Sequence, residues 1–150
     1  MAEQSWHRNG YQISTDKTRI DVEYLHEYLS EVSYWAQGRS LSTVKTSVEN
    51  SLCFGVYVDQ IPSDVGPVKQ VGFARVVTDA ATFGWLCDVF IDEKHRGKGL
   101  SKWMLECIVT HPSTRALGWF LLATSDAHEL YRNYGGFNAL AQPEKWMIKP

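Results

Sequence analysis

The sequence has few cysteines, no long apolar run and no excess of one charge, and each absence excludes a class of protein. The three cysteines, Cys53, Cys87 and Cys107, lie far apart within apolar segments. We therefore expect reduced core residues, and neither a disulfide framework nor a zinc site. No segment approaches the length of a membrane-spanning helix, and the polar residues 1–10 do not resemble a signal peptide. These features predict a cytoplasmic protein with no membrane partner.

Charge, length and missing motifs set further limits. Lys and Arg number 15 against 17 Asp and Glu, a net charge of −2, so no overall field attracts nucleic acid. The 150 residues contain no linker, repeat or low-complexity tract, which predicts a single domain over 1–150. None of the five histidines falls in a His-Glu-x-x-His pattern, so we expect no metal. The Gly-x-Ser-x-Gly turn of a serine nucleophile is also missing.

The most informative stretch of the chain is 89–103. An apolar strand leads through Arg96-Gly97-Lys98-Gly99 into a helix with apolar residues at 100, 103, 104, 107 and 108, which is the spacing of one buried helix face. At such a junction the first backbone N–H groups of the helix have no intrahelical partner, and the helix dipole is positive there. Glycine lets a bulky ligand approach the backbone closely. The stretch therefore predicts a phosphate site, with a solvated basic turn as the alternative.

Two familiar phosphate motifs do not fit this junction. The Walker loop fails because Asp92 stands where its first glycine belongs, and the dinucleotide fingerprint fails because Lys102 replaces its third glycine. The segment 96–101, Arg-Gly-Lys-Gly-Leu-Ser, instead resembles motif A of the GNAT N-acyltransferase superfamily, which binds the pyrophosphate of acetyl-CoA. The departure is Ser101, where glycine or alanine is usual.

A second motif lies further along the chain at 127–137, Ala-His-Glu-Leu-Tyr-Arg-Asn-Tyr-Gly-Gly-Phe. It is similar to motif B of the same superfamily, with one extra glycine before Phe137. Either motif alone is a weak signal, because short patterns match by chance. Their order and spacing together identify the chain as a member of this superfamily.

The predicted order of elements agrees with the GNAT fold along essentially the whole chain. We expect strands at 11–14, 52–58, 68–77, 83–91 and 119–123, the last covered on both faces, and a closing pair near 137–140 and 145–148. A first helix follows a capping box at 18–21 and buries Val22, Leu25, Leu29 and Val32; a second follows near 41–48. A further helix starts with Asp126 as its N-cap, and 59–67 forms a hairpin loop. The class is α+β, a three-layer arrangement with a mixed central sheet of six or seven strands flanked by helices.

The resemblance implies roles for the residues around motif A. The backbone amides of Gly97 to Ser101 would hold the pyrophosphate, and Arg96 and Lys98 would supply charge. Backbone groups of the preceding strand would pair with the pantetheine arm, and a bulge in that strand would aim an amide at the thioester carbonyl. The implied cofactor-binding residues are Val89, Phe90, Ile91, Arg96, Gly97, Lys98, Gly99, Leu100 and Ser101.

Two residues are candidates for catalysis. Tyr131 occupies the general-acid position of the superfamily, from which it would protonate the leaving thiolate; the alternative is a tyrosine packed on the core. Asp88 is the only charge within the apolar run 85–91. A carboxylate in such a strand requires a partner or a purpose, so Asp88 is either the base that takes a proton from the amine or a satisfied structural residue.

The loop 34–39 is the candidate acceptor site, because in relatives this loop covers the acceptor cleft, and the tract 59–67 could form a second wall. Tyr34 and Trp35 suggest a small or aromatic amine, and Arg39 could pair with a substrate carboxylate; aromatic packing at a helix corner is the alternative. The predicted function is transfer of an acetyl group from acetyl-CoA to a primary amine of a small molecule or peptide by direct attack. The alternative is a non-catalytic acyl-CoA sensor of the same fold. Monomer and homodimer both stay open.

Overall fold

The computed structural model describes residues 2–59 and 68–150, and within them the chain forms one mixed sheet of six strands. The strands follow chain order across the sheet, and each neighbouring pair is antiparallel except β5 and β6, which are parallel. The predicted hairpin loop at 59–67 lies outside the described residues, apart from Asp59. The strands are β1 Ser5–Arg8, β2 Tyr11–Ser14, β3 Leu52–Val58, β4 Gln70–Thr78, β5 Phe83–Ile91 and β6 Trp119–Leu122.

Four helices cover the two faces of the sheet, which confirms the predicted α+β class. On one face α3 and α4 pack over Phe54, Val76 and Leu86; on the other α1 and α2 pack over Phe73 and Phe90. The helices are α1 Val22–Glu27, α2 Leu41–Glu49, α3 Leu100–Thr110 and α4 His128–Gly135. Alternate residues of the central strands serve the two cores, as the pleat of a strand requires.

The α3 helix confirms the face predicted from its apolar spacing. Leu100, Trp103, Met104, Cys107 and Ile108 are all buried, and so is their neighbour Leu105. Burying a side chain of this size contributes about 2 kcal/mol, so the face holds the helix firmly against the sheet. The helix start is therefore fixed relative to the end of β5.

The β5 strand carries a bulge near its centre. Its neighbour β4 pairs Phe73 with Phe90 and Arg75 with Cys87, so the single residue between them faces two residues of β5. One of those two is Asp88, whose φ of 53° lies in the left-handed region that non-glycine residues seldom adopt. A bulge of this kind bends the strand and redirects the groups beside it.

The sheet opens between β5 and β6. Their parallel pairing runs only from Phe83 opposite Trp119 to Leu86 opposite Leu122. Beyond Leu86, no strand of the described chain pairs with this edge of β5. The last five residues of the strand therefore face an opening rather than a neighbour.

The start of α1 differs from the prediction. The capping box at 18–21 is wrong: Asp21 is the N-cap, and its side chain accepts a hydrogen bond from the Tyr24 backbone N–H at 3.0 Å. Burial of Val32 is also wrong, since this residue is 62% exposed. The helix ends in a π-turn over Tyr28–Val32, in which the Ser33 N–H bonds to the Tyr28 carbonyl. The wider turn shifts the register, so that Ser33 faces the core instead.

Further differences concern the edges of the sheet and the start of α4. The sequence did not predict β1, which extends the sheet beyond β2. Asp126 is not the N-cap of α4, because that position is Ala127 and it makes no side-chain cap. The predicted closing strands are absent from the described residues 137–150, where a 3₁₀ turn at Pro143–Lys145 is the only regular element. Without that pair β6 lies at the sheet edge, and Trp119 is 59% exposed rather than covered.

Candidate active site

The opening between β5 and β6 leads into a cleft of about 880 Å³. Its floor is the second half of β5, one wall is the loop 33–39, and the opposite wall is the connection from β6 to α4. Tyr131 of α4, Arg96 and the predicted acceptor residues Tyr34, Trp35 and Arg39 all line it. Residues predicted from three separate stretches of sequence therefore meet around one cavity.

At one end of this region, the turn from β5 to α3 presents free backbone donors. In the part of the chain that the structure describes, the N–H groups of residues 97–101 make no hydrogen bond to a protein acceptor. Gly97 and Gly99 have φ values of 79° and 76°, and a Cβ at either would meet open space. Gly99 is the N-cap of α3 and supplies no side-chain cap. These donors and the positive end of the helix are suited to binding an anion, and phosphate binding here stays a prediction.

The two basic side chains of the loop brace it from opposite sides. Arg96 donates from Nε to the Ile91 carbonyl at 3.0 Å and from Nη2 to the Tyr28 hydroxyl at 3.1 Å. Lys98 donates from Nζ to the Tyr11 hydroxyl at 3.1 Å, and that hydroxyl lies 2.8 Å from Nδ1 of His95. The backbone of the loop is therefore held by its own side chains while its amides stay open. A charge role for Arg96 and Lys98 toward a phosphate stays a prediction.

His95 completes this bracing as a neutral ring. Its burial, together with the positive charge of Lys98, lowers the pKa of His95 from its ordinary value. A neutral imidazole can accept the Tyr11 hydroxyl hydrogen at Nδ1, and the Tyr11 oxygen can then accept from Lys98. Nothing in the sequence joins these residues, because Tyr11 lies on β2, far from the loop in the chain.

Tyr131 projects from α4 into the cleft. Its ring is buried against Phe137, at a centroid distance of 6.2 Å. Its hydroxyl makes no hydrogen bond within the described residues, and the residue lines the cavity. Burial, with smaller contributions from Tyr34 and Asp126, raises the pKa of Tyr131 to about 12. The phenol therefore keeps its proton at neutral pH, which an acid requires.

The Asp88 carboxylate is held by three donors. Oδ1 accepts from Nε1 of Trp35 at 2.9 Å, and Oδ2 accepts from Nη1 of Arg39 at 2.7 Å and from Nε of Arg75 at 2.6 Å. The side chain of Asp88 is 1% exposed. A buried carboxylate is retained only with such partners, because unpaired burial is costly. Proton acceptance by Asp88 stays a prediction, and the three donors favour a different role.

Sequence reasoning missed Arg75, although a signal was present. Arg75 is the only charged residue of β4, and Asp88 is the only one of β5. Two lone opposite charges in consecutive apolar strands indicate a buried pair across the sheet. The hydrogen bonds from Arg39 and Trp35 to Asp88 could not be predicted in this way, since both residues lie on an irregular loop.

Tyr34 ties the loop 33–39 to the other wall of the cleft. Its hydroxyl accepts a hydrogen bond from the Ser125 backbone N–H at 3.1 Å, and its ring packs edge-on against Trp35 at 5.0 Å. Tyr28, which the sequence did not single out, stacks on Phe90 at 3.7 Å and forms part of the floor. Tyr34 and Trp35 therefore anchor the loop on two sides, Tyr34 to Ser125 and Trp35 to Asp88.

The structure offers no activated thiol at the cleft. Cys87 lines the cavity, but burial raises its pKa to about 11, so it stays protonated near neutral pH. Among residues 2–59 and 68–150, no group of three or more His, Cys, Asp or Glu side chains is arranged to hold a metal ion. No described helix combines the length and apolarity that crossing a membrane would take.

Comparison with known proteins gives a consistent family. The acetyltransferase (GNAT) domain matches residues 49–135. A Gibberella zeae protein named "Putative acetyltransferase FG08082" is 31% identical over 149 residues, covering 88% of this chain and 82% of its own. A crystal structure of a GNAT-family protein from Xanthomonas campestris pv. campestris is 39% identical with a TM-score of 0.86, covering 96% of this chain and 95% of its own. The chain belongs to the GNAT acetyltransferase family.

A more distant structure shares the fold. A protein from Clostridium acetobutylicum, described as a predicted acetyltransferase with acetyl-CoA, is 15% identical with a TM-score of 0.64, covering 93% of this chain and 94% of its own. At that identity the likeness concerns the fold alone. The predicted fold and family are both confirmed.

Proposed function

We propose that this protein transfers an acetyl group from acetyl-CoA to a primary amine by direct attack. The observation that carries the proposal is the set of unpaired N–H groups at 97–101, which directly follow Arg96 at the edge of the cleft. A diphosphate fits such donors because they point outward from a helix N-terminus and no Cβ blocks Gly97 or Gly99. Acetyl-CoA, when bound, supplies a thioester whose carbonyl carbon is open to an amine.

The second half of β5 fits the rest of that cofactor. Because β6 ends at Leu122, opposite Leu86, the backbone of Val89, Phe90 and Ile91 has a free edge, to which the amide groups of a pantetheine arm can hydrogen-bond as another strand would. We propose that the bulge at Asp88 turns a backbone N–H group toward the thioester carbonyl, since a bulge redirects the groups beside it. One such donor at a developing oxyanion is worth about 3 kcal/mol.

Tyr131 holds the proton that a leaving thiolate needs. Its buried phenol lies in the same cleft and stays protonated over the whole neutral range, since its pKa is raised to about 12. A positioned acid of this kind contributes about 100-fold or more in rate. We propose that water, rather than a side chain, takes the proton of the incoming ammonium, because both Asp88 oxygens are already occupied.

The acceptor enters past the loop 33–39. Tyr34 and Trp35 give an aromatic wall, and Arg39, with one guanidinium nitrogen on Asp88, keeps the other edge for an acceptor carboxylate. Glu93 and Asp126 at the cleft attract an ammonium group. We therefore expect a small amine, aromatic or carrying a carboxylate.

A thiol-release assay tests this function. Acetyl-CoA is incubated with the protein and a panel of amines, amino acids, polyamines and peptides, and free CoA is measured. The proposal predicts release that depends on one class of amine. Binding of CoA in a calorimeter without release for any amine would indicate an acyl-CoA sensor, and absence of CoA binding would contradict both.

A further inference from the structure

We propose that Asp88 is a positioning residue, whose carboxylate fastens the acceptor loop 33–39 to the bulge in β5. This inference rests on the proposed acetyl transfer for its kinetic consequence, but its structural part stands alone. We call the four side chains Trp35, Arg39, Arg75 and Asp88 the acceptor clasp. The two Asp88 oxygens connect the bulge in β5 to the loop 33–39, through Trp35 and Arg39, and to β4, through Arg75.

Both oxygens of the Asp88 carboxylate accept hydrogen bonds in the clasp. Oδ1 holds the indole N–H of Trp35, while Oδ2 holds both guanidinium groups at 2.6 and 2.7 Å. Removing the negative charge of the carboxylate would weaken its bonds to the two guanidinium groups. The arrangement is therefore suited to holding three side chains in place, and poorly suited to exchanging protons during turnover.

Apart from the clasp, the loop is held by bonds within itself and to the end of the preceding helix, as in the Gly38 N–H bond to the Ser30 carbonyl at 3.1 Å, and by burial of Ala36. Arg75 is anchored on its far side by Ser51, whose Oγ accepts from Nη1 at 3.1 Å. Among the residues described, the loop makes one other side-chain hydrogen bond across the cleft, in which the Tyr34 hydroxyl accepts from the Ser125 backbone N–H. Asp88 is thus the main polar anchor between the acceptor loop and the sheet.

The clasp also acts on the backbone that lies nearest the reaction. Asp88 is itself the bulge residue with φ of 53°, a conformation that glycine, asparagine and aspartate adopt more readily than other residues. Through one carboxylate the wall that orients the amine and the strand that would orient the thioester are held in a fixed relation. Misplacing two reactants by about 1 Å costs up to about 100-fold in rate.

Hydrogen–deuterium exchange tests the clasp without turnover. In Trp35→Phe, Arg39→Gln and Asp88→Asn, amides of residues 33–39 are expected to exchange at least about fivefold faster, because opening of the loop sets the exchange rate. Trp119→Phe and Arg115→Gln are matched controls on exposed residues away from the cleft, and we expect no change there. Unchanged exchange in the first two clasp variants would overturn the proposal, even if Asp88→Asn failed to fold.

Kinetics then separate positioning from proton transfer. Trp35→Phe keeps an aromatic ring and removes only the donor, so KM for the amine should rise about tenfold with a smaller change in kcat and none in the Kd of CoA. In an Asp88→Gly background the same substitution should add nothing, since the indole N–H acts through the carboxylate. If Asp88→Asn instead abolished kcat, left KM unchanged and removed the acidic limb of the pH profile, Asp88 would be the base. If the wild-type protein did not bind CoA, the proposed function would be contradicted, but the exchange experiment would still test the clasp.

Discussion

At the scale of single residues, two glycines decide whether the β5–α3 turn can hold a phosphate. Gly97 and Gly99 both adopt left-handed φ values, and both present open space where a side chain would begin. A methyl group there would occupy the volume in front of the free amides. The backbone geometry and the access to the ligand therefore depend on the same two positions.

Gly99→Ala should weaken CoA binding by at least about tenfold, because the Cβ occupies the anion site and the left-handed backbone is strained by about 1 kcal/mol. Calorimetry with CoA and a thermal melt measure the two effects separately. Gly10→Ala is the matched control: its φ is 82° and its Cβ also meets open space, but it lies in the β1–β2 turn. It should lose similar stability and keep the CoA affinity. Equal loss of affinity in both variants would contradict the prediction.

Tyr131→Phe should lower kcat by about 100-fold with little change in KM, because the phenol acts as an acid and the ring is retained. The pH dependence has a definite sign. Burial raises the pKa of Tyr131 from 10.0 to about 12, so the protonated, active form persists above the ordinary range, and kcat should show no alkaline loss from this group at pH 10. If the variant kept the wild-type kcat, water rather than Tyr131 would be the acid that protonates the leaving thiolate.

The sequence alone indicated several residues that line the site, but it did not predict the contacts between them. Gly97, Gly99 and Tyr131 were found because motifs fix them locally along the chain. The bonds of Asp88 to Trp35 and Arg39 were not found, since these residues lie 53 and 49 positions away and meet only through the fold. Arg75 was within reach, because lone charges in adjacent apolar strands seldom stay unpaired.

At the scale of elements, long periodic segments were predictable and short terminal ones were not. The bounds of β3 and β5 and the buried face of α3 are as predicted, because many apolar residues set them together. β1 was missed since its four residues are mostly exposed and carry no apolar alternation. The predicted closing strands at 137–140 and 145–148 do not form in the described structure, where Pro143, which lacks an N–H, starts a 3₁₀ turn at Pro143–Lys145.

The cap of α1 gives a direct test at this scale. Asp21→Ala should cost about 1 kcal/mol of the free energy of unfolding, because the Tyr24 N–H loses its acceptor at the helix start. Thr18→Ala, at the position where sequence placed the cap, is the comparison and should cost less, since its hydroxyl serves only the preceding turn through Asp16. Urea unfolding of the two variants measures both. A larger loss of unfolding free energy in Thr18→Ala than in Asp21→Ala would support the capping box predicted from the sequence.

At the scale of the whole molecule, burial disfavours the thiolate form of all three cysteines, of which Cys53 and Cys107 lie in the two cores and Cys87 lines the cleft. Burial raises the pKa of Cys53 and Cys87 to about 11 and that of Cys107 to about 12. Only the thiolate reacts, so a disulfide reagent at pH 8 should label the native protein slowly and all three cysteines quickly in denaturant. Rapid labelling of native Cys87 would show that the cleft is more open than described.

The same core explains why the cleft lies where it does. Helices cover both faces of the sheet, and the pairing of β6 with β5 ends after four residue pairs, so β5 has an open edge beside the bulge and the loop 33–39 in the described structure. The position of the cleft thus follows from where the pairing of two parallel strands ends.

¹⁵N NMR of the protein titrated with CoA tests whether the free amides at 97–101 hold a diphosphate. We expect the amide signals of residues 97–101 to shift most, and inorganic pyrophosphate to move the same signals to a smaller extent. CoA binding that left these amides unchanged while signals elsewhere moved would contradict this expectation.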